Sequence, residues 1–311
     1  MTSVRVAALL VAACAAIPGC KGKGQAGSGG AVAVTGGDAG AAAVAGATAG
    51  TGAGSAGDAA AALDARCAAK DWEACRNLGV FYAEGTGVTA DATRAAALYG
   101  MACDHDNGAA CNNLGLVIAE GHGVAADGAR AAELYGRACD LGSLLGCRNR
   151  GLLLSSGKGV TRDPAAAVIA FRKGCDGGLP LACTNLGLAT SAGDGVDRDD
   201  AAAARLFQKA CDRGDPVGCR YVGVAYLEGR GLPRGAKAAA VWLDLACQHG
   251  DGAGCAVLAQ MYGQGAGVPR DDARAATLRQ RACQQGEQAA CDPAPTPAPP
   301  PATPTTPPAT P

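Results

Sequence analysis

The chain is poor in aromatic side chains, with 2 Trp, 6 Tyr and 3 Phe in 311 residues. A core built on large rings is therefore excluded, and most of the buried volume must come from smaller groups. An excess of charge of either sign is also missing. Lys and Arg number 27 against 28 Asp and Glu, a formal net charge of −1. That balance gives no electrostatic basis for a nucleic-acid partner. There are only 3 histidines (His105, His122 and His249), and no two cysteines form a C-x-x-C pair. The close-spaced ligand sets of zinc sites are thus lacking, and no metal or cofactor is expected. No apolar run reaches the ~20 residues that a bilayer-spanning helix needs.

What the chain has instead is glycine (48), cysteine (16) and a segmented layout. Residues 1–20 read as a signal peptide: Arg5 makes a positive n-region, and Val6 to Ile17 is an apolar stretch too short to span. Its end, Ile17-Pro18-Gly19-Cys20, resembles the lipobox of bacterial lipoproteins, in which the cysteine is lipidated and becomes the first mature residue. Pro18 departs from the small or aliphatic residue usual at its position, and plain secretion with ordinary cleavage is the other reading. Lys21 stands where some enterobacterial lipoproteins carry an inner-membrane-retaining Asp, which favours the outer membrane. Residues 21–57 are Gly, Ala, Thr and Ser with scattered Val. They contain too little apolar surface to offset ordering entropy, and a flexible tether of that length reaches roughly 35 Å. Residues 293–311 are almost only Pro, Ala and Thr, a polyproline II tail.

Residues 58–292 carry a strict repeat. Cysteines fall in C-x7-C pairs at 67/75, 103/111, 139/147, 175/183, 211/219, 247/255 and 283/291, each pair 36 residues from the next. Gly-x-Gly recurs in the same register from Gly85/Gly87 to Gly265/Gly267, and Tyr99, Tyr135, Phe171 and Phe207 form an aromatic column. A period of this length marks a solenoid. Each period predicts two helices. Helix A starts after Asp71, Asn107, Ser143, Asp215 or Asp251, and helix B after Asp91, Asp127, Asp163, Asp199 or Asp271, all good N-cap types. Pro164, Pro180 and Pro216 sit at first helical positions, where a missing N–H is harmless. The Gly-x-Gly ends helix A. The inner face of B is small, as in Ala95, Leu98, Tyr99 and Ala102. A glycine column within helix A (Gly79, Gly115, Gly151, Gly187) costs ~1 kcal/mol each relative to Ala, which predicts close helix contact there.

Fourteen cysteines in an exported body imply seven disulfides. The tight corner between Cys103, at the end of B, and Cys111, in the first turn of the next A, suits the ~4.4–6.8 Å between Cα atoms that a disulfide needs. Cys111 with Cys139, across one hairpin, is also compatible with the geometry.

Leu-Gly-x-x-Tyr on helix A, Gly-x-Gly-Val at the turn, then Asp, Ala and Tyr/Phe-x-x-Ala on helix B resemble the Sel-1-like repeat, a relative of tetratricopeptide repeats. The paired cysteines resemble its secreted cysteine-rich branch, typified by the Helicobacter cysteine-rich proteins. The resemblance covers about residues 58–292, with six full hairpins over about 72–284. The fifth period departs most: Tyr221-Val222 replaces Asn-Leu, and Leu232-Pro233 replaces Val-Thr. The resemblance implies an all-α fold, a right-handed α/α superhelix of ~36-residue hairpins. It also implies the pairing Cys67–Cys75, Cys103–Cys111, Cys139–Cys147, Cys175–Cys183, Cys211–Cys219, Cys247–Cys255 and Cys283–Cys291. Each nine-residue loop so closed stabilises by about 2–3 kcal/mol on the chain-entropy account, which compensates for a core largely of alanine.

In such solenoids helix A lines the concave face. Arg76, Asn112, Arg148, Thr184 and Arg220 share one helix-A column, and Asn77, Asn113, Asn149 and Asn185 the next. Arg and Asn suit a carboxylate or an extended peptide backbone. The same columns equally suit bonds between packed repeats, or plain solvation. No catalytic constellation stands out. Some cysteine-rich relatives bind penicillin or act as weak β-lactamases, which makes a binder or hydrolase of β-lactams or cell-wall peptides the alternative. Ser155-Ser156-Gly157-Lys158 matches Ser-x-x-Lys, but no Lys-Thr-Gly or Ser-Asp-Asn accompanies it. The expectation is a non-enzymatic, lipid-anchored scaffold of the outer membrane, periplasm or cell surface. It would bind a protein or peptide and touch the membrane only through its N-terminal lipid.

Overall fold

A computed structural model describes residues 55–291. The signal segment with Cys20, most of the 21–57 segment and the tail at 293–311 lie outside the described residues. Within them the chain forms thirteen α-helices: α1 (Ala56–Ala68), α2 (Trp72–Glu84), α3 (Ala92–Asp104), α4 (Gly108–Glu120), α5 (Gly128–Asp140), α6 (Leu144–Ser156), α7 (Pro164–Asp176), α8 (Pro180–Ala192), α9 (Asp200–Cys211), α10 (Pro216–Glu228), α11 (Ala236–Gln248), α12 (Gly252–Gln264) and α13 (Asp272–Gln284). No strand occurs among the described residues. Even-numbered helices are the A helices of six hairpins and odd-numbered ones the B helices. Among the described residues the array opens on a B helix, α1, which begins two residues inside the segment read as tether. Ser55 and Asp58 close a reciprocal capping box there, a local signal hidden by the alanine around it. The array ends on a 3₁₀ turn (Gln288–Ala290), where a seventh A helix would start.

The caps act as the sequence predicts. Asp71, Asn107, Ser143, Asp215 and Asp251 each accept a backbone N–H of the helix they open, as do Asp91, Asp127, Asp163, Asp199 and Asp271. Leu179 and Gly235 break the two columns and make no side-chain cap bond. Gly85 ends α2 in the left-handed region at φ +72°, and its N–H donates to the Phe81 carbonyl.

The two glycines of each turn have different jobs. The second one holds neighbouring repeats together. A Cβ on Gly231 would stand 2.0 Å from the carbonyl oxygen of Asp200, in the first turn of the preceding B helix, and one on Gly195 would stand 2.2 Å from that of Pro164. Only hydrogen fits.

Inside the first four hairpins the helix-A glycine receives the ring of helix B. A Cβ on Gly79 would lie 2.6 Å from Tyr99, one on Gly151 2.4 Å from Phe171, and one on Gly187 2.6 Å from Phe207. The fifth hairpin pairs Gly223 with Leu243. In the sixth, the glycine position is Ala259 and the ring position is Arg279. The glycine is kept where a leucine replaces the ring and is lost where the position becomes a charged residue. Buried alanines (Ala95, Ala131, Ala167, Ala203, Ala239 and Ala275) line the B side of this seam.

The hairpins are joined by B-to-A corners, each carrying a disulfide. Bonds link Cys67–Cys75, Cys103–Cys111, Cys139–Cys147, Cys175–Cys183, Cys211–Cys219, Cys247–Cys255 and Cys283–Cys291, with Cα–Cα separations of 4.5–4.8 Å. The cross-hairpin pairing that the sequence left open is not formed. The inner five pairs are buried, whereas Cys291 is exposed and Cys67 and Cys283 half-buried. The described residues thus form an α/α solenoid of 36-residue hairpins stapled at every corner.

Candidate binding surface

Successive A helices pack against one another along the array, as between α4 and α6 or α8 and α10. This places the A-helix columns side by side as one continuous face. Its centre line is a half-buried apolar row, Val80, Leu116, Leu152 and Leu188, ending at buried Val224. Beside it run the two polar columns.

Most of the polar columns are tied up between repeats. The Asn149 side-chain amide donates to Asn112 Oδ1 at 2.9 Å, and Arg148 Nε donates to Asn185 Oδ1 at 3.2 Å. Asn112 is itself buried and its amide reaches Asn113 Oδ1 at 3.4 Å. Thr184 is buried and its hydroxyl donates to Asp215 Oδ2, the cap of the next A helix. Arg220 pairs with buried Asp251 at 3.0 Å and lies over the Tyr221 ring. Burial opposes the Arg220 charge, but Asp251 and Tyr221 outweigh it and hold its pKa above the usual value. Tyr221, the fifth-period departure, stacks in turn on Phe207 at 4.9 Å. Arg76 is buried and grips Glu73 at 2.6 Å, and Asn107 donates to the other oxygen of that carboxylate. Burial pushes the Glu73 carboxyl up, but the hydrogen bonds from Arg76 and Asn107 more than offset this and hold it below its ordinary pKa. Asn77 is half-buried, and no hydrogen bond of its side chain to a described residue is found. The nine residues therefore share one face, and most of them bind the protein to itself. The bonds made between repeats span 31–37 residues, a spacing that invites no attention in a sequence.

The Ser-x-x-Lys match is not assembled as a nucleophile. Ser155 Oγ donates to the Leu152 carbonyl and Ser156 Oγ to that of Leu153, both at 3.1 Å. Lys158 is exposed and its ammonium contacts neither hydroxyl. His105 stacks flat on Trp72 at 3.7 Å, His122 lies 3.2 Å from Glu120, and all three histidines are exposed. Among the described residues no group of three His, Cys, Asp or Glu side chains could hold a metal ion, and no helix is long and apolar enough to cross a membrane.

The sequence matches the Sel1 repeat model six times in unbroken succession, at residues 72–107, 108–143, 144–179, 180–215, 216–251 and 252–287. No curated protein matches it. Among solved structures, a protective antigen of uropathogenic Escherichia coli displaying an SLR fold is 30% identical, with a TM-score of 0.67 over 74% of this chain. The match spans only 50% of that protein's length. A Sel1 repeat protein from Oxalobacter formigenes is 24% identical over 68% of this chain and 85% of its own, with a TM-score of 0.63. Cysteine-rich protein B of Helicobacter pylori is 27% identical over 42% of this chain and 94% of its own, with a TM-score of 0.36. Six contiguous repeat matches over most of the described residues, on hairpins of the same length and phase, place this chain in the Sel1 repeat family.

Proposed function

We propose that this chain is a lipid-tethered scaffold of the bacterial envelope that binds an extended segment of another protein along its A-helix face. The coarse part of this reading is given by family: Sel1 repeats are mainly non-catalytic scaffolds for protein–protein interaction. The multiple disulfides point to an exported protein, because such bonds persist in oxidising compartments. The finer part is the tether and the face. Cys20 is the lipid attachment site, and residues beyond it let the solenoid stand off the membrane. The observation that carries the face is its continuity, an apolar row flanked by asparagines across successive repeats. Half-buried apolar side chains beside amides are what an extended backbone requires. The mutual packing of A helices supports assigning this face to the inner side of the array.

Two measurements test it. Intact-mass analysis of protein from its native envelope should find an acyl-modified Cys20 at the mature N-terminus; an unmodified chain lacking residues 1–20 refutes the anchor. A photo-crosslinking side chain placed at Asn77 or Asn185 should capture a partner in the envelope, and one at Ile169 or Val241, exposed on B helices, should not. Capture from the B positions alone refutes the face.

A further inference from the structure

Three arginines share the inner helix-A column, and two are neutralised within the protein. Arg76 is paired by Glu73, three residues earlier on its own helix, and Arg220 by Asp251, the cap of the next A helix. Around Arg148 both of those positions are leucine. Leu145 replaces the i−3 carboxylate, and Leu179 replaces the cap of the following helix. No carboxylate among the described residues comes within ion-pair distance of Arg148. Its one bond runs from Nε to Asn185, which fixes the plane of the guanidinium and leaves its two terminal nitrogens unbonded. The carboxylate that acts on its charge, Asp215, is already spent on the Thr184 hydroxyl and the Val217 N–H. Burial depresses the Arg148 pKa, and Asp215 only partly offsets that. A half-buried guanidinium without a contact anion is costly, and such a cost is met at ligand sites.

The surroundings of Arg148 define the ligand. Leu145 and Leu152 flank it on its own helix, and Leu188 and 40%-exposed Leu181 lie on the next. The polar columns continue past it both ways, through Asn113 and Asn77 on one side and Asn185 on the other. A ligand ending at Arg148 would leave half of that row unused. Resting on the face assignment above, we infer that Arg148 is the specificity residue of this surface: it takes an internal Asp or Glu side chain, flanked by apolar residues, of a protein segment lying extended across the third and fourth hairpins.

The test uses the full chain with its disulfides intact and an array of N-acetylated, C-amidated nonapeptides. Each has a central Glu or Gln and randomised apolar or polar flanks; a third set has a central Gln and a free C-terminal carboxylate. A charged hydrogen bond in place of a neutral one predicts that the best Glu peptides bind about tenfold more tightly than their Gln partners in fluorescence anisotropy. Leu145→Glu recreates the Glu73–Arg76 arrangement at Arg148 and should abolish this preference without loss of helicity. Arg148→Gln should do the same, while Arg148→Lys retains part of it. Equal binding of Glu and Gln peptides that is still weakened by Asn113→Ala overturns the role of Arg148 and leaves the face standing. A preference for the free-carboxylate set overturns the internal acidic residue. Failure of every peptide to bind overturns the inference together with the face.

Discussion

Two glycines in the first hairpin, both within helices, should respond oppositely to the same substitution. Gly79 and Gly100 lie in helix interiors, where alanine gains ~1 kcal/mol by restricting the unfolded chain. At Gly100 a Cβ meets nothing within 4 Å, so the gain stands. At Gly79 the Cβ would lie 2.6 and 2.8 Å from two atoms of the Tyr99 ring, which is 2% exposed and cannot swing away. Overpacking of that kind costs about 2–3 kcal/mol, which leaves a net loss of about 1–2 kcal/mol. For an array of this size, ~1 kcal/mol moves Tm by about 2–4 °C. Gly100→Ala should raise Tm by that amount, and Gly79→Ala should lower it by about 2–8 °C, both followed by circular dichroism with disulfides intact. Adding Tyr99→Ala to Gly79→Ala should cost less than Tyr99→Ala costs in wild type, because the clash is gone. The sixth hairpin already holds that relaxed combination, with Ala259 and no ring. A rise in Tm for Gly79→Ala matching that of Gly100→Ala would refute the ring-on-glycine account of the hairpin.

Graded reduction followed by alkylation and mass mapping should open Cys283–Cys291 first, since Cys291 is exposed and the inner five bonds are buried. An inner bond opening before it contradicts the burial order. Glu73 supplies a pH dependence. Its pKa is depressed in the folded state, so its contribution to stability is full above its ordinary value of 4.5 and is lost as pH falls through the depressed one. The Tm difference between wild type and Glu73→Gln should therefore shrink as pH is lowered from above 4.5; a difference that is constant with pH removes Arg76 and Asn107 as its ionic partners.

The fold was legible because its determinants repeat in register. Caps, Gly-x-Gly turns and C-x7-C pairs act within one or two turns of themselves, and a column of them is visible in the sequence. The reason for each glycine was less so. Gly87 and its equivalents read as helix stops, yet the structure sets them against the preceding B helix, about 31 residues back. The polar face was legible as columns but not as bonds. Asn149 and Asn112, or Thr184 and Asp215, meet diagonally between repeats, and residue type alone does not tell a bonded amide from an available one. Arg148 is singled out only by its neighbours, through what Leu145 and Leu179 fail to supply.

The corner disulfides also decide how the molecule behaves under force. Each closes a nine-residue loop in the 36-residue period, so tension along the backbone crosses the sulfurs and bypasses the corner. Between its first and last staples, an oxidised chain under tension lengthens through the 28 residues that separate one staple from the next, such as Cys75 to Cys103. Each hairpin then yields at most about 90–100 Å of contour before the next must give. A tethered protein of this design lengthens in equal increments and keeps its corners when its hairpins are lost. On release, each A helix still starts inside a closed loop, and the array can rewind from any of its staples.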